Sequence, residues 1–246
     1  IQDGADDFPL QYFFDVRDAI KRIRLENTHL EESELFDLRR SLQTINDIVR
    51  YLNRAEDKGE DVDPAPLYPA LYRLTQDVAT YPQLVQGIDQ ILDKFGHIRD
   101  NASPELLNIR RELARAESSV SKTLYSILRS AQSEGLVDKD VTPTLRDGRL
   151  VIPVMPGMKR KISGIVHDES ATGKTVFIEP SEVVEANNRI RELESEERHE
   201  IIRILTTFTN KVRPHSRDIL ESYSFLATID FIRAKAELAK LTKAIE

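Results

Sequence analysis

The sequence predicts a mainly α fold: a helical core with a long antiparallel helical arm that carries a small β-sheet at its tip. Two long stretches place apolar residues at alternating spacings of three and four. Between them, Leu145 to Pro180 switches to a period of two, the signature of short strands. Composition agrees, because charged residues reach 31% while glycine is scarce (9), which suits solvent-washed helices more than a compact α/β enzyme.

The first hundred residues read as helices that each bury one face. Asp15 can cap a short helix carrying Val16, Ile20 and Ile23. From Glu34, the residues Leu35, Leu38, Leu42, Ile45, Val49 and Leu52 form an apolar stripe. That stripe stops in Glu56 to Asp63, where Gly59 and then Pro64, Pro66 and Pro69 forbid a continuous helix. A tyrosine-rich helix is expected over Leu67–Ala79, and another over Pro82–Lys94 with Ile88, Ile91 and Leu92 inward.

Ser103-Pro104-Glu105 is a strong helix start: a capping hydroxyl, proline at the first helical position and an acid in the first turn. Leu106, Ile109, Leu113, Ala116, Val120, Leu124, Ile127 and Ala131 then follow the coiled-coil spacing until Gly135. A helix of about 30 residues would be roughly 45 Å long. Ser181 can cap a second long helix with Val183, Ala186, Ile190, Leu193, Ile201, Leu205, Phe208 and Val212 inward, ending before Pro214. Glu197 interrupts its seam, which predicts weaker packing or a polar partner there. The short intervening block returns this helix antiparallel to the first. A last helix, Ser222–Glu246, turns Phe225, Ile229, Ile232, Ala236 and Leu241 to the core. The expected divisions are therefore 1–102 (core), 103–140 (first arm helix), 141–180 (β-rich tip), 181–213 (returning helix) and 214–246 (core).

Within the tip, Asp147-Gly148 is a type I′ hairpin signal between Thr142–Leu145 and Arg149–Val154. Pro153 suggests an edge strand. Lys161–His167 and Thr175–Ile178 supply two further strands, joined through Thr172-Gly173.

Net charge is −7, which excludes a nucleic-acid footprint spread over the whole surface. The tip differs from the rest. Between Leu145 and Ile178, six basic residues (Arg146, Arg149, Lys159, Arg160, Lys161 and Lys174) face three acids (Asp147, Asp168 and Glu169), a local +3 against −10 elsewhere. Either these loops collect lysine for solubility, or the six form a patch that meets phosphate.

Two tempting motifs fail. Ala171-Thr172-Gly173-Lys174-Thr175 resembles the end of a phosphate loop, but Asp168 holds the required glycine position and a strand, not a helix, follows. His167-Asp168-Glu169-Ser170 has the residue types of a hydrolase triad, yet neighbours along a strand point to opposite sides. His29, His97, His167, His199 and His215 show no ligand spacing, and His199 is expected in solvent among glutamates. Cysteine is absent, which rules out disulfides and thiolate metal sites. With no spanning apolar run and no secretory pattern, the chain is expected to be soluble and cytoplasmic. It begins at Ile1 without initiation context and is expected to be an excised piece of a longer protein.

The runs LRDGRLVIPV and GIVHDESATGKTVFIEPSEVVEANNRIRELESEE, with IRDNASPELLNIRRELA upstream and ATIDFIRAKAELA downstream, resemble the bacterial type-two MutS paralogues. The resemblance implies a helical core, a pair of lever helices and a clamp at the lever tips. In that family an ATPase domain follows, through which two subunits dimerise around nucleic acid, and a small nuclease domain often ends the chain. It also implies DNA, branched or duplex, or the ribosome as partner, and a role in recombination control, DNA repair or ribosome rescue. No Walker motif or nuclease domain occurs here, so no catalytic residue and no cofactor are expected in this stretch; ATP and magnesium would belong to the missing domain. The phenylalanine wedge of mismatch-reading members has no counterpart. On this reading Arg146, Arg149, Lys159, Arg160, Lys161 and Lys174 touch phosphates without reading sequence.

Overall fold

In the computed structural model, residues 8–10, 13–55 and 65–243 are described. The order of elements is α1 (Arg17–Arg22), α2 (Glu32–Leu52), α3 (Pro69–Arg73), α4 (Pro82–Ile91), α5 (Pro104–Ser133), β1 (Thr144–Arg146), β2 (Arg149–Val154), β3 (Gly164–Glu169), β4 (Val176–Pro180), α6 (Ser181–Val212) and α7 (Ser216–Thr242). The protein is thus mainly α with a small antiparallel sheet. It divides into two compact units, residues 1–102 with 202–246, and residues 103–201.

In the first unit, α2 starts two residues before the expected Glu34, because Glu31 and Glu34 form a reciprocal capping box. All six residues of its predicted stripe are buried. One core cluster joins Ile45, Ile48 and Leu52 of α2 to Phe225, Leu226 and Ile229 of α7. Polar ties accompany it. Ser41 Oγ accepts the Phe14 N–H at 3.0 Å, and the Tyr223 hydroxyl donates to the Phe14 carbonyl at 3.0 Å. The buried Thr209 hydroxyl accepts the Leu30 N–H at 2.9 Å.

Several boundaries differ from the sequence expectation. Asp15 stands one residue outside the cap, with Val16 in the cap position, although its carboxylate does accept the Arg17 N–H at 3.1 Å. The tyrosine-rich helix shrinks to the five residues of α3. The buried Thr75 explains this, since its hydroxyl lies 2.8 Å from both the Tyr72 carbonyl and Asn53 Oδ1 and competes with the helical ladder. Helix α4 ends at Ile91 because Leu92 turns extended and bridges Ile98. The expected stop over Glu56–Asp63 and Pro64 lies outside the described residues. Helix α7 starts at Ser216, directly after a 3₁₀ turn containing Pro214. Leu241, expected inward, is 83% exposed: the step of five from Ala236 carries it about 140° away from the buried stripe.

In the second unit, Ser103 caps α5 by accepting the Leu106 N–H, with Pro104 at the first helical position. Contacts between α5 and α6 pair ascending with descending numbers: Ser103 with Glu200, Arg110 with Glu197, and Glu112 with Arg189. The two helices therefore run antiparallel. Their seam is apolar nearer the sheet, where Val120, Leu124 and Leu128 share a core with Val183, Ile190, Ile152, Val154, Val176 and Ile178. Ser181 is the first helical residue of α6 rather than its cap.

The sheet has the order β1-β2-β4-β3, every pair antiparallel. β2 is therefore interior in the order, contrary to the edge position that Pro153 suggested. Proline is tolerated because the ladder with β1 ends at Val151, while Pro153 pairs only with Phe177 of β4. β3 begins at Gly164 rather than Lys161, since Lys159–Lys161 form turns and Ile162 a bend.

Gly164 stands opposite Pro180, and a Cβ there would lie 2.2 Å from the Glu179 carbonyl oxygen. Gly164→Ala is therefore expected to cost about 1–3 kcal/mol by forcing β3 away from β4. Gly157 provides the control, since a Cβ at that position would meet no atom within 4 Å. Gly157→Ala should change stability by less than about 0.5 kcal/mol. Urea denaturation of the two variants gives the comparison, and equal midpoints would show that the β3–β4 approach is not a tight constraint.

Candidate nucleic-acid interface

The six basic residues singled out from the sequence all lie in the second unit, but the strands give them different roles. Asp147 (φ 47) and Gly148 (φ 72) make the left-handed pair that a type I′ turn requires. This turn sets Arg146 directly opposite Arg149. Like charges so placed repel, and each needs its own partner.

Arg149 turns inward. One guanidinium nitrogen donates to Glu179 Oε1 at 2.8 Å and another to Asn188 Oδ1 at 2.6 Å, and the side chain is 20% exposed. Its expected role in touching phosphate is therefore not what the geometry favours. Arg146 lies with its guanidinium carbon 4.2 Å from the centre of the Phe177 ring and a nitrogen 4.0 Å from the Asp168 carboxylate, while remaining 45% exposed.

Lys159, Arg160 and Lys161 are exposed on the turns that follow the 3₁₀ segment Pro156–Met158. The segment is pinned from below by Ile162 and Met158, which join the core of the second unit. Lys174 is exposed in the β3–β4 turn, where the Gly173 N–H donates to the Ser170 carbonyl at 2.7 Å. The register puts Val154, Val176 and Glu169 at one end of the sheet, with the Lys174 turn and the departure of the 155–163 crossover. Arg146 and Arg149 belong to the other end of β2. Lys174 therefore lies at the end from which the crossover departs, while the crossover returns at Gly164, opposite Pro180, at the other end, where Arg146 and Arg149 belong.

A buried polar cluster, invisible in the sequence reading, organises this region. Glu179 is fully buried in β4. Its carboxylate accepts hydrogen bonds from Arg149 (2.8 Å), from Asn187 Nδ2 (2.8 Å) and, on the other oxygen, meets His167 Nε2 at 2.5 Å. Burial pushes the Glu179 carboxyl up, but the hydrogen bonds from His167, Asn187 and Arg149 outweigh it and hold the group below its ordinary value. His167 reaches inward because a bulge between Val166 and Asp168 shifts the register of β3. The available signal is Glu179 itself, a lone carboxylate beside the apolar run Val176-Phe177-Ile178, which calls for a buried cation nearby.

Pairing Arg149 with Glu179 cancels both charges. The remaining exposed set is five basic residues against Asp147, Asp168 and Glu169, a local +2. His199, as expected, is exposed on α6. Among the described residues no group of His, Asp and Glu has the arrangement of a metal site, and no helix is long and apolar enough to cross a membrane.

A mainly helical protein with a small, locally basic antiparallel sheet is thus the class that fold and site define. No protein-family model matches the chain. It is similar along nearly its whole length to proteins named Endonuclease MutS2. Identity is 36% over 236 residues with the Geobacillus sp. (strain WCH70) protein, covering 96% of this chain and 29% of that protein. It is 37% over 238 residues with the Lacticaseibacillus paracasei protein, covering 97% and 29%, and 36% over 251 residues with the Levilactobacillus brevis protein, covering 100% and 31%. These matches support a MutS2-type relative, and the chain spans about 29% of the length of the first two of these proteins.

With its folded-state carboxyl below the ordinary 4.5, Glu179 contributes stability that is complete above about that pH and is lost as pH falls through the lower folded value. Glu179→Gln should destabilise the second unit by about 3–5 kcal/mol at neutral pH, because Arg149 loses its buried counter-charge. The gap to the unaltered protein should narrow in acid; a gap constant from neutral to acid pH would contradict an ionised Glu179. Separately, the Lys174 turn leads into β4 and not into a helix, so equilibrium dialysis with ATP and magnesium should give no saturable binding that disappears in Lys174→Ala.

Proposed function

We propose that this chain is the core, lever and clamp module of a MutS-family protein acting in DNA repair and recombination control, and that its tip contacts nucleic-acid backbone. On this reading α5 and α6 are the lever helices and the four-stranded sheet is the clamp. The observation that carries it is the set of exposed cations Lys159, Arg160, Lys161 and Lys174, mounted on turns of a sheet whose own ion pairing is internally satisfied. Such residues contact phosphate oxygens without reading bases. The similarity to proteins named Endonuclease MutS2 supports a nucleic-acid context. Catalysis is assigned to none of the residues of this chain; ATP hydrolysis and dimerisation are proposed for an ATPase domain outside it.

A second reading, a tip that grips a ribosome or another protein, is favoured by one observation. Leu145, Met155 and Ile165 are 62%, 42% and 49% exposed on or beside the strands. Mixed apolar and basic surface suits a protein partner as well as phosphate.

The test is binding of duplex DNA, junction DNA and purified ribosomes by the chain and by its Lys159→Glu, Arg160→Glu, Lys161→Glu triple variant. Two or three phosphate contacts predict a log-affinity slope against log salt of roughly −2 to −3 for duplex. The triple reversal should weaken binding to unrelated DNA sequences alike and flatten that slope. DNA affinity and slope unchanged by the reversal would remove these residues from the interface. Ribosome binding that is stronger than DNA binding and is lost on Leu145→Asp would favour the second reading.

A further inference from the structure

Helix α5 buries one side and turns a row of cations outward on the other. Arg111, Arg115, Lys122 and Arg129 follow one another at steps of four, seven and seven. At about 100° per residue these steps keep the four within about 40° of one another round the helix, over a length of roughly 27 Å. The buried Ile109, Val120, Leu124 and Ala131 lie on the opposite side. All four cations are exposed. Among the described residues none of them makes an ion pair, whereas Arg110 of the same helix holds Glu197 at 2.7 Å and Arg189 of α6 is matched to Glu112, Glu192 and Glu196. The acids of α5, Glu105, Glu112 and Glu117, stand about 80° or more from the middle of the row. Glu112, the nearest, is taken up by Arg189 at 3.1 Å, so Arg111 and Arg115, one turn apart, repel each other unrelieved. A solvated helix face ordinarily mixes both signs. A row of one sign in a chain of net charge −7 marks a surface for a polyanion.

We propose that this row is a track for single-stranded DNA, which lays its phosphates along the four cations and stacks a base on Tyr125. The shape of the row selects a single strand. Duplex phosphates form two rows that wind away from a straight helix, and the flat faces of the bases are hidden in the stack, so a duplex meets the row at one or two points only. A single strand can follow a straight cationic row and turn an unstacked base onto an aromatic ring. Tyr125 supplies that ring. It lies between Lys122 and Arg129 at the edge of the row, 45% exposed, and among the described residues it stacks on no other ring. Ser118 and Ser126, one turn before and after Lys122, are exposed and offer hydroxyls to phosphate oxygens between the cations. The choice of DNA over RNA rests on the function proposed above. The track itself does not, because none of its residues belongs to the sheet or its turns.

The test is fluorescence anisotropy of a labelled oligothymidylate of about 16 nucleotides, titrated with the chain at several salt concentrations. Arg115→Glu combined with Lys122→Glu should weaken binding by about tenfold or more and flatten the slope of log affinity against log salt by about 1.4, at about 0.7 per phosphate. Tyr125→Ala should weaken binding by about fivefold or more and leave the slope unchanged. Arg217→Glu combined with Lys240→Glu makes the same change in net charge at exposed positions of α7 and should leave the slope unchanged. Because every altered side chain is exposed, circular dichroism should report an unchanged fold. A duplex of the same length should lose less than the single strand in the α5 reversal and nothing in Tyr125→Ala. No binding of the oligothymidylate at low salt, or binding indifferent to the α5 reversal, would overturn the proposal. So would equal losses for duplex and single strand with Tyr125→Ala indifferent, which describe a general polyanion surface, or tighter binding of an oligouridylate of the same length. The tip contacts fail separately: reversal of Lys159, Arg160 and Lys161 would then leave duplex binding intact while the α5 variants still lost the single strand.

Discussion

The buried carboxylate of Glu179 is the interaction on which the second unit depends. Strand β4 is buried at all five positions, Val176–Pro180, so its single charged side chain has no route to water. An isolated charge in such a place is prohibitive, and the fold answers with hydrogen-bond donors from three other elements: Arg149 of β2, His167 of β3 and Asn187 of α6. The same contact relieves the Arg146–Arg149 repulsion set by the hairpin register. A slip of β4 by one residue would turn Glu179 toward the core face lined by Ile152 and Val154 of β2 and leave Arg149 unpaired. Breaking such a cluster costs more than an apolar replacement would gain, so its strongest effect is on uniqueness of register.

The same logic governs the opposite end of the helix pair. Glu197 interrupts the apolar seam of α6, and the structure supplies the polar partner that the interruption requires: Arg110 Nε at 2.7 Å. One turn on, buried Glu200 accepts from the Ser103 hydroxyl at 2.5 Å while that oxygen caps α5 through the Leu106 N–H. A purely apolar two-helix seam can slide by a heptad with little penalty. Here a slide would strand Glu197 and Glu200 against apolar side chains and uncap α5, so polar residues set the alignment and apolar ones supply the burial.

Much of this architecture is legible in the sequence because its causes are local. The Ser103-Pro104 start, the Asp147-Gly148 turn and the α2 stripe each depend on residues within a few positions of one another. What cannot be read depends on distant partners. Arg149 looks like any surface cation until Glu179, thirty residues on, is folded beside it. His167 reads as a failed triad member because the bulge that aims it inward has no sequence signature. Helix α3 looks longer in the sequence than it is because Thr75 is drawn out of the ladder by Asn53, twenty-two residues earlier. For α7 the difficulty is superposition: two apolar stripes on one helix read as a single broad one, which puts Leu241 on the wrong side.

The fold also divides its cations between internal pairing and exposed turns, and on the proposed function that division bears on what the sheet region can recognise. Arginines with planar forks are used internally where two acceptors can be matched: Arg149 between Glu179 and Asn188, and Arg213 across the Ile23 and Thr28 carbonyls. The exposed turns carry three lysines, at 159, 161 and 174, and one arginine, Arg160. A guanidinium fixed in place can distinguish one acceptor pair from another, whereas an ammonium on a flexible stem is a point charge that accepts many geometries. Base reading in a groove needs the former, and following a phosphate backbone of variable shape needs only the latter. With Arg149 withdrawn into the fold, Arg146 and Arg160 are the arginines of this region that stay exposed. On the proposed function, three lysines among the five exposed cations favour contact with phosphate over the reading of bases.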